Sequence, residues 1–518
     1  MSSSSASETV HKIKCLLKKV EEQEQSSNDE KADASSLDEL RRIFVQCMTR
    51  QELFWCNTDS KGIISTGSTA EEALIANAKQ KYNSWLQRQY SIYVEHLCYR
   101  LQNGKKYALR CLCGLLFSPL SMQRNNNNNV DSATQANYRN HIQSIWVKAV
   151  QALCYRETVL ITSPDNITDN HTIIKQDALI QMFLQEFVIP HPDVLYMTFS
   201  SIKQVAAQLQ RQQHHKKDTK LQQCSIENII SIVEQLPIIN NSSELKDDSK
   251  FIFSYNRDSE GLLDLKDREE EEEEETSDEG EDNYDDDEDD DDNTKEGENK
   301  KEPFNELTKA GKKKQRRKQP EKILSCHKRI VEETWLAILQ LGNLIPIKCH
   351  KRMVPYISQR IVPYVHHPLR FAEYFTNCYN AHSDSTTTIL PCLALHGLFH
   401  LITKYEFEHA NFYQCLYRLL KPAVFYAKFR TRFLTLLVQT LSSQPKLPAY
   451  VVAAFLKRLC RCALSAPPSG ALFVLALSSN LLRQHKACAC LIHRKPSTTL
   501  LQDSFDAVTN DPLQSRGK

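Results

Sequence analysis

The chain has 518 residues, long enough for two or three domains, and its 12 glycines are too few for a turn-rich all-β fold or several glycine phosphate loops. Its net charge of +1 hides a division: residues 267–292 hold twenty carboxylates and one arginine, a local −19 that leaves the remainder at +20. A basic body joined to an acidic strap points to anionic partners, most simply RNA, with the strap shielding or competing for that surface.

Basic charge alone does not establish RNA binding. Seventeen cysteines, an odd number scattered through a long chain, read as reduced intracellular thiols rather than a disulfide framework. The N-terminus lacks a basic segment followed by an apolar one, so secretion is not expected. The most apolar later runs, 390–402 and 471–482, fall short of the roughly 20 residues that span a bilayer and are interrupted by His or Ser. They read as buried helices, with no membrane span.

Residues 1–70 form a polar, partly disordered leader. The N-terminal helical region, 71–244, opens with a long helix over 71–102, where Tyr82, Leu86, Tyr90, Tyr93, Leu97 and Leu101 recur at steps of three or four. Gly104 is its stop. A second helix runs over 107–117, and the asparagine tract 125–129 is a loop with no apolar anchor. Ile142, Trp146, Ala149 and Leu153 mark another helix; further periodic segments cover 177–188, 196–209 and 226–236, separated by Pro190-His-Pro192 and the Gln/His/Lys-rich run 208–220. No alternating pattern demands a sheet.

Residues 245–322 form an acidic, then basic linker, whose acidic section is expected to be disordered because it cannot bury enough apolar surface to offset ordering. Ser277, just before Asp278-Glu279, sits in the acidic context that casein-kinase-type enzymes favour and is a candidate phosphosite. Lys312, Lys313, Lys314, Arg316, Arg317 and Lys318 put six cations in seven residues, which reads as a nuclear-import signal or nucleic-acid patch, or else as a solvated run balancing the nearby acids.

A C-terminal helical domain is expected over 323–513, with a short tail at 514–518. Val331, Trp335, Ile338 and Leu341 give one helical side, and Pro355, Pro363 and Pro368 divide the next stretch into short helices. Helices at 388–404, 411–420, 425–441, 447–468 and 471–482 follow through short loops, which favours antiparallel neighbours and stacked pairs. In 425–441, Arg430 lies between two apolar stripes and reads as a buried, structurally paired cation in preference to an RNA contact, with Lys428 and Arg432 able to reach solvent. The organising helix lies between Pro448 and Pro467-Pro468: Val452, Phe455, Leu459, Cys462 and Ala466 form its core side. Lys457, Arg458 and Arg461 form a basic edge, either a solvated face or a contact for a partner or RNA. The fold class read from these patterns is all-α, a helical repeat of the α-solenoid, HEAT/armadillo-like kind with a disordered acidic and basic linker.

Leu447-Pro-Ala-Tyr-Val-Val-Ala-Ala-Phe-Leu-Lys-Arg-Leu, followed by Ala466-Pro467-Pro468 and Asn480-Leu-Leu-Arg-Gln-His485, resembles the CCAAT-binding-factor-like family of nucleolar complex proteins. Leu395-His-Gly-Leu-Phe399, Phe412, Tyr413, Leu416, Tyr417 and Phe429-Arg-Thr-Arg-Phe433 match the same family in the same order. The resemblance covers roughly 323–513. It implies a non-catalytic helical-repeat factor in the nucleus and nucleolus, working with a nucleolar protein 14 homologue and other small-subunit processome proteins on pre-ribosomal RNA. Its expected work is pre-rRNA processing, assembly and export of the small-subunit precursor. Members of the family continue beyond the Asp-Pro element, here Asp511-Pro512, whereas this chain stops at Lys518. Against that pattern a last packing helix is expected to be missing, with lower solubility than a complete member.

No phosphate-binding loop, paired CxxC, HExxH or GxSxG occurs, which disfavours an enzyme, and no cofactor is expected. His396 and His400 could face one metal, but the residues between them offer no carboxylate, and a packed pair is expected. Cys111/Cys113, Cys460/Cys462 and Cys488/Cys490 are CxC pairs in apolar helical surroundings; Cys488, Cys490 and His493 are the one cluster with metal-ligand character. Two other classes remain open: a DNA-binding transcription regulator, for which no zinc finger, basic zipper or recognition-helix module is visible, and a karyopherin-like transport adaptor.

Overall fold

Apolar side chains recurring every three or four residues bury one side of a helix, and that periodicity accounts for the regular structure of this protein. The computed structural model describes residues 3–25, 30–50, 52–53, 70–123, 132–156, 178–212, 219–241, 245, 305–382, 389–409, 411–442, 447–493 and 512. Among the described residues every regular element is helical, so the fold is all-α, and the sequence of neighbouring helix pairs is consistent with a solenoid. No described helix is long and apolar enough to cross a membrane. The asparagine tract, Ser277, the acidic strap and the tail 514–518 lie outside the described residues.

The chain divides into two units, Met1–Leu344 and Ile345–Lys518. The first contains α1 (Ser3–Gln25), α2 (Glu30–Thr49), α3 (Ala70–Gln102), α4 (Lys106–Gln123), α5 (Ser132–Cys154), α6 (Ala178–Met182, continued as a π-helical turn over Phe183–Val188), α7 (Pro192–Gln212), α8 (Thr219–Gln235) and α9 (Asn305–Leu339). Packing runs from α1 to α2, α2 to α4, α4 to α3, α3 to α5, α5 to α7 and α7 to α9.

Most of the expected helices are present, and the expected core of α3 and α5 is buried at Leu86, Tyr90, Tyr93, Leu97, Leu101, Ile142, Trp146, Ala149 and Leu153. Gly104 ends α3 at φ +80°, a left-handed conformation that favours glycine, and Lys105 N–H donates to the Arg100 carbonyl across the turn at 3.0 Å. A side chain at 104 would also meet the Arg156 guanidinium 2.6 Å away.

The polar leader is more ordered than its composition predicts. Ile13, Leu16, Leu17 and Val20 on α1, and Leu37, Leu40, Phe44 and Met48 on α2, are buried. Few apolar residues suffice there because they recur with helical spacing. Arg100 of α3 then joins two neighbours: its Nε and Nη2 donate to the two Asp33 oxygens at 2.7 and 3.0 Å, and Nη2 also donates to the Val20 carbonyl at 3.1 Å. Tyr107 of α4 donates its hydroxyl to Asp33 at 2.6 Å. Burial lowers the Arg100 pKa, but the Asp33 contacts outweigh it and raise the group above its ordinary value.

Two boundaries differ from the sequence reading. Residues 305–322, expected in the linker, belong to α9, and the division between units falls at 344/345 rather than 322/323. The cause is packing of α9 on α7: Thr334 donates to the Phe199 carbonyl at 3.1 Å, His327 meets the Tyr196 ring edge-on, and Glu333 accepts from Lys203 at 2.6 Å and from Arg329 at 3.0 Å. Burial works to raise the Glu333 pKa; the bonds from Lys203 and Arg329 prevail and hold it below the usual carboxylate range. Trp335 is thus a core residue of the first unit.

The second unit contains α10 (Ile347–Tyr356, continued as a π-helical turn over Ile357–Ile361), α11 (Ala372–His382), α12 (Ile389–Tyr405), α13 (Phe412–Leu419), α14 (Arg430–Ser442), α15 (Ala449–Ala463) and α16 (Pro468–Gln484). Helix α12 is its centre. It packs on α10, α11, α13 and α14, and ten of its seventeen residues are buried, consistent with its nearly unbroken apolar sequence. Gly397 permits its approach to α11: an added Cβ would lie 2.7 Å from the Phe375 ring.

The predicted helix over 425–441 is divided. Pro422–Tyr426 forms a 3-10 turn, Ala427 is extended at ψ 146°, and α14 starts only at Arg430. Phe425 is pulled out of helical register into the second unit's core, where it lies against Gly470. Arg430 consequently stands in the first turn of α14 and is exposed, which corrects the expectation of a buried cation.

Candidate interaction surface

The pair formed by α15 and α16 carries the segment that the sequence singles out. Pro448 precedes α15 in an extended conformation, and Pro467 and Pro468 start α16, so prolines mark the beginning of each helix. Val452, Phe455, Leu459 and Cys462 of α15 are buried as the periodicity predicts; Ala466 lies beyond the helix and is half-buried. Val474, Leu477 and Leu481 form the inner side of α16. Burying a side chain of this size contributes about 1.5–3 kcal/mol.

The three predicted basic residues do not share an environment. Arg461 is exposed and Lys457 is half-buried. Arg458 is only 7% exposed. Its Nε donates to the Leu420 carbonyl at 2.8 Å and its guanidinium carbon lies 4.3 Å from the centre of the Tyr417 ring, whose edge-to-face partner is Phe455. Arg458 is therefore corrected from a surface contact to a structural cation. Position 458 turns toward α13, where a carbonyl without a helical partner and an aromatic face accept it.

Lys312, Lys313, Lys314, Arg316, Arg317 and Lys318 lie within α9, so the cationic run has a helical backbone rather than an extended one. Lys, Arg and Gln are good helix formers, which reconciles the run with that conformation. His396 and His400 are half-buried; burial, followed by the nearby charge of Arg432 for His396 and Lys404 for His400, lowers both pKa values. Among the described residues no group of three or more His, Cys, Asp or Glu could hold a metal. Cys488 is buried with Sγ 3.5 Å from the Ala449 carbonyl, and burial pushes its thiol pKa up, whereas Cys490 and His493 are exposed.

Two features of this surface were missed by the sequence reading. The first is a complete lack of carboxylate side chains from His409 to Gln502, a stretch containing thirteen lysines and arginines. A local charge count in place of a whole-chain one would have found it. The second is the set of large apolar side chains turned outward: Tyr426, Tyr450, Leu464, Leu472 and Leu475 are all more than half exposed. On α15 the outward positions Tyr450, Ala453, Lys457, Arg461 and Leu464 step by three or four, a stripe apolar at both ends and basic between. Such a face suits an anionic or amphipathic partner more than bulk water.

Comparison with known proteins places this surface in a family context. Residues 391–518 match the CBF/Mak21 family, and a domain of that family is present in the chain. The chain is 40% identical over 193 residues to the nucleolar complex protein 4 homologs of Mus musculus and Homo sapiens, covering 37% of this chain and 36% of each relative. It is 34% identical over 180 residues to nucleolar complex protein 4 of Saccharomyces cerevisiae, covering 35% of this chain and 32% of the relative. The similarity thus spans about a third of the length of the curated relatives.

Proposed function

We propose that this protein is a non-catalytic nucleolar factor in small ribosomal subunit biogenesis, acting as a scaffold in the small-subunit processome. The similarity to proteins named nucleolar complex protein 4 carries the reading, together with the CBF/Mak21 family match over residues 391–518. Residence in the nucleus and nucleolus follows from the same likeness. Its partners in this reading are a nucleolar protein 14 homologue, other processome proteins and pre-ribosomal RNA, met directly or through those proteins.

The surface supports a docking role. Leu464, Leu472 and Leu475 offer apolar contact to a partner helix or extended segment, while Lys457 and Arg461 add charge for RNA or an acidic protein. The run 312–318 serves as the import signal and Ser277 as a phosphosite in the acidic strap. Affinity purification of the tagged full chain from nuclear extract at moderate salt tests the reading. Co-recovery of a nucleolar protein 14 homologue with small-subunit precursor RNA is expected; chromatin or import factors without pre-ribosomal components would overturn it.

A further inference from the structure

Several exposed cations of the carboxylate-free stretch lie near one tyrosine in the sequence, before and after it. Tyr426 is 64% exposed, yet its hydroxyl donates to the Ser465 carbonyl at 2.7 Å. The ring is tied at its polar tip and open to solvent over much of its surface. Phe425 beside it is buried against Gly470, so this short segment is anchored both inward and sideways. The tether also brings Tyr426 to the turn after α15, where Ser465 lies four residues beyond Arg461. Lys421, Lys428, Arg430, Arg432 and Arg461 are all exposed.

We infer that Tyr426 and these five cations bind single-stranded RNA, with the cations following the phosphates and the tyrosine ring stacking on a base. Exposed one-to-one ion pairs with a protein contribute only about 0–1 kcal/mol each, so a scattered set of cations is a weak protein interface. The same set gains from counterion release when the ligand is a polyanion. An outward ring held in place adds base stacking, which a paired duplex would not offer it. No carboxylate within the stretch opposes the phosphates. The inference deepens the assembly-factor reading and rests on it for its cellular setting only.

The test is fluorescence anisotropy of the purified full chain with a labelled oligouridine of about 15 nucleotides, between about 50 and 200 mM salt. Tyr426→Ala is expected to weaken binding by about 5- to 150-fold without changing the salt slope, while Tyr426→Phe keeps the ring and most of the affinity. Combined Lys428→Gln, Arg430→Gln and Arg432→Gln should reduce the slope of log affinity against log salt by about 2, near 0.7 for each phosphate left without its cation. Unchanged thermal midpoints would show that the variants remain folded. Competition by polyglutamate as strong as by unlabelled oligouridine, or indifference to Tyr426→Ala, would overturn the inference in favour of an acidic-protein or general polyanion surface. Absence of oligouridine binding by the parent chain would also overturn it, while leaving the assembly reading to its own test by purification.

Discussion

Replacing Arg458 by alanine should destabilise the second unit by about 3–5 kcal/mol. The hydrogen bond from its charged Nε to the Leu420 carbonyl, at 2.8 Å, accounts for roughly 1.5–3 kcal/mol. The guanidinium lies 4.3 Å from the Tyr417 ring centre in a site 7% exposed, where a desolvated cation–π contact is worth about 2 kcal/mol. These contributions belong to one side chain and are not strictly additive; removing it also leaves a cavity and leaves the Leu420 carbonyl with only the Cys462 thiol, 4.0 Å away. Arg458→Lys keeps the charge but loses the planar fork, so an intermediate loss is expected. Arg461→Ala, three residues along on the same helix but exposed, should remain within about 0.5 kcal/mol of the parent. All four tryptophans precede residue 336, so their fluorescence reports on the first unit. Hydrogen exchange of peptides from 412–463 during urea titration gives the required local readout. Indistinguishable midpoints for Arg458→Ala and Arg461→Ala would refute the assignment of Arg458 as structural.

In the first unit, Asp33→Ala should cost about 3–5 kcal/mol, measured by urea denaturation, because it removes the hydrogen-bonded carboxylate of a buried guanidinium and leaves it only Glu24, 3.6 Å away; the double variant Asp33→Leu/Arg100→Met should lose less than the sum of its two singles. Gly397→Ala should lower the thermal midpoint despite its better helix propensity: the added methyl meets the fully buried Phe375 ring, and overpacking of this kind costs about 1–3 kcal/mol. Burial lowers the His327 pKa to about 4 from an ordinary value of 6.5. The unfolded chain therefore binds the extra proton first, and stability present above pH 6.5 should be lost as pH falls toward 4, by on the order of 3 kcal/mol. His327→Leu should flatten that part of a stability-against-pH curve, and an unchanged slope would count against the neutral buried histidine.

The all-α class and most helix cores were legible because α3, α5 and α15 each repeat apolar residues every three or four positions. The order of α1 and α2 was less visible, since their few apolar residues lie among many charges. Assignment of α9 to the first unit depended on contacts such as Thr334 to Phe199, which periodicity cannot supply. At the candidate surface, a helical wheel grouped Lys457, Arg458 and Arg461 correctly by angle. It could not distinguish solvent from the Leu420 carbonyl and Tyr417 ring waiting beside one of them. Arg430 failed for the complementary reason: a break at Ala427 changed the helical phase that its predicted burial required.

The carboxylate-free stretch has a consequence for internal charge pairing as well as attraction. Between His409 and Gln502 no Asp or Glu side chain is present, so the thirteen lysines and arginines there have no carboxylate side chain of their own stretch to pair with. The positive sign of this surface is written into its sequence, and any carboxylate that competes with an anionic ligand for it must come from outside the stretch.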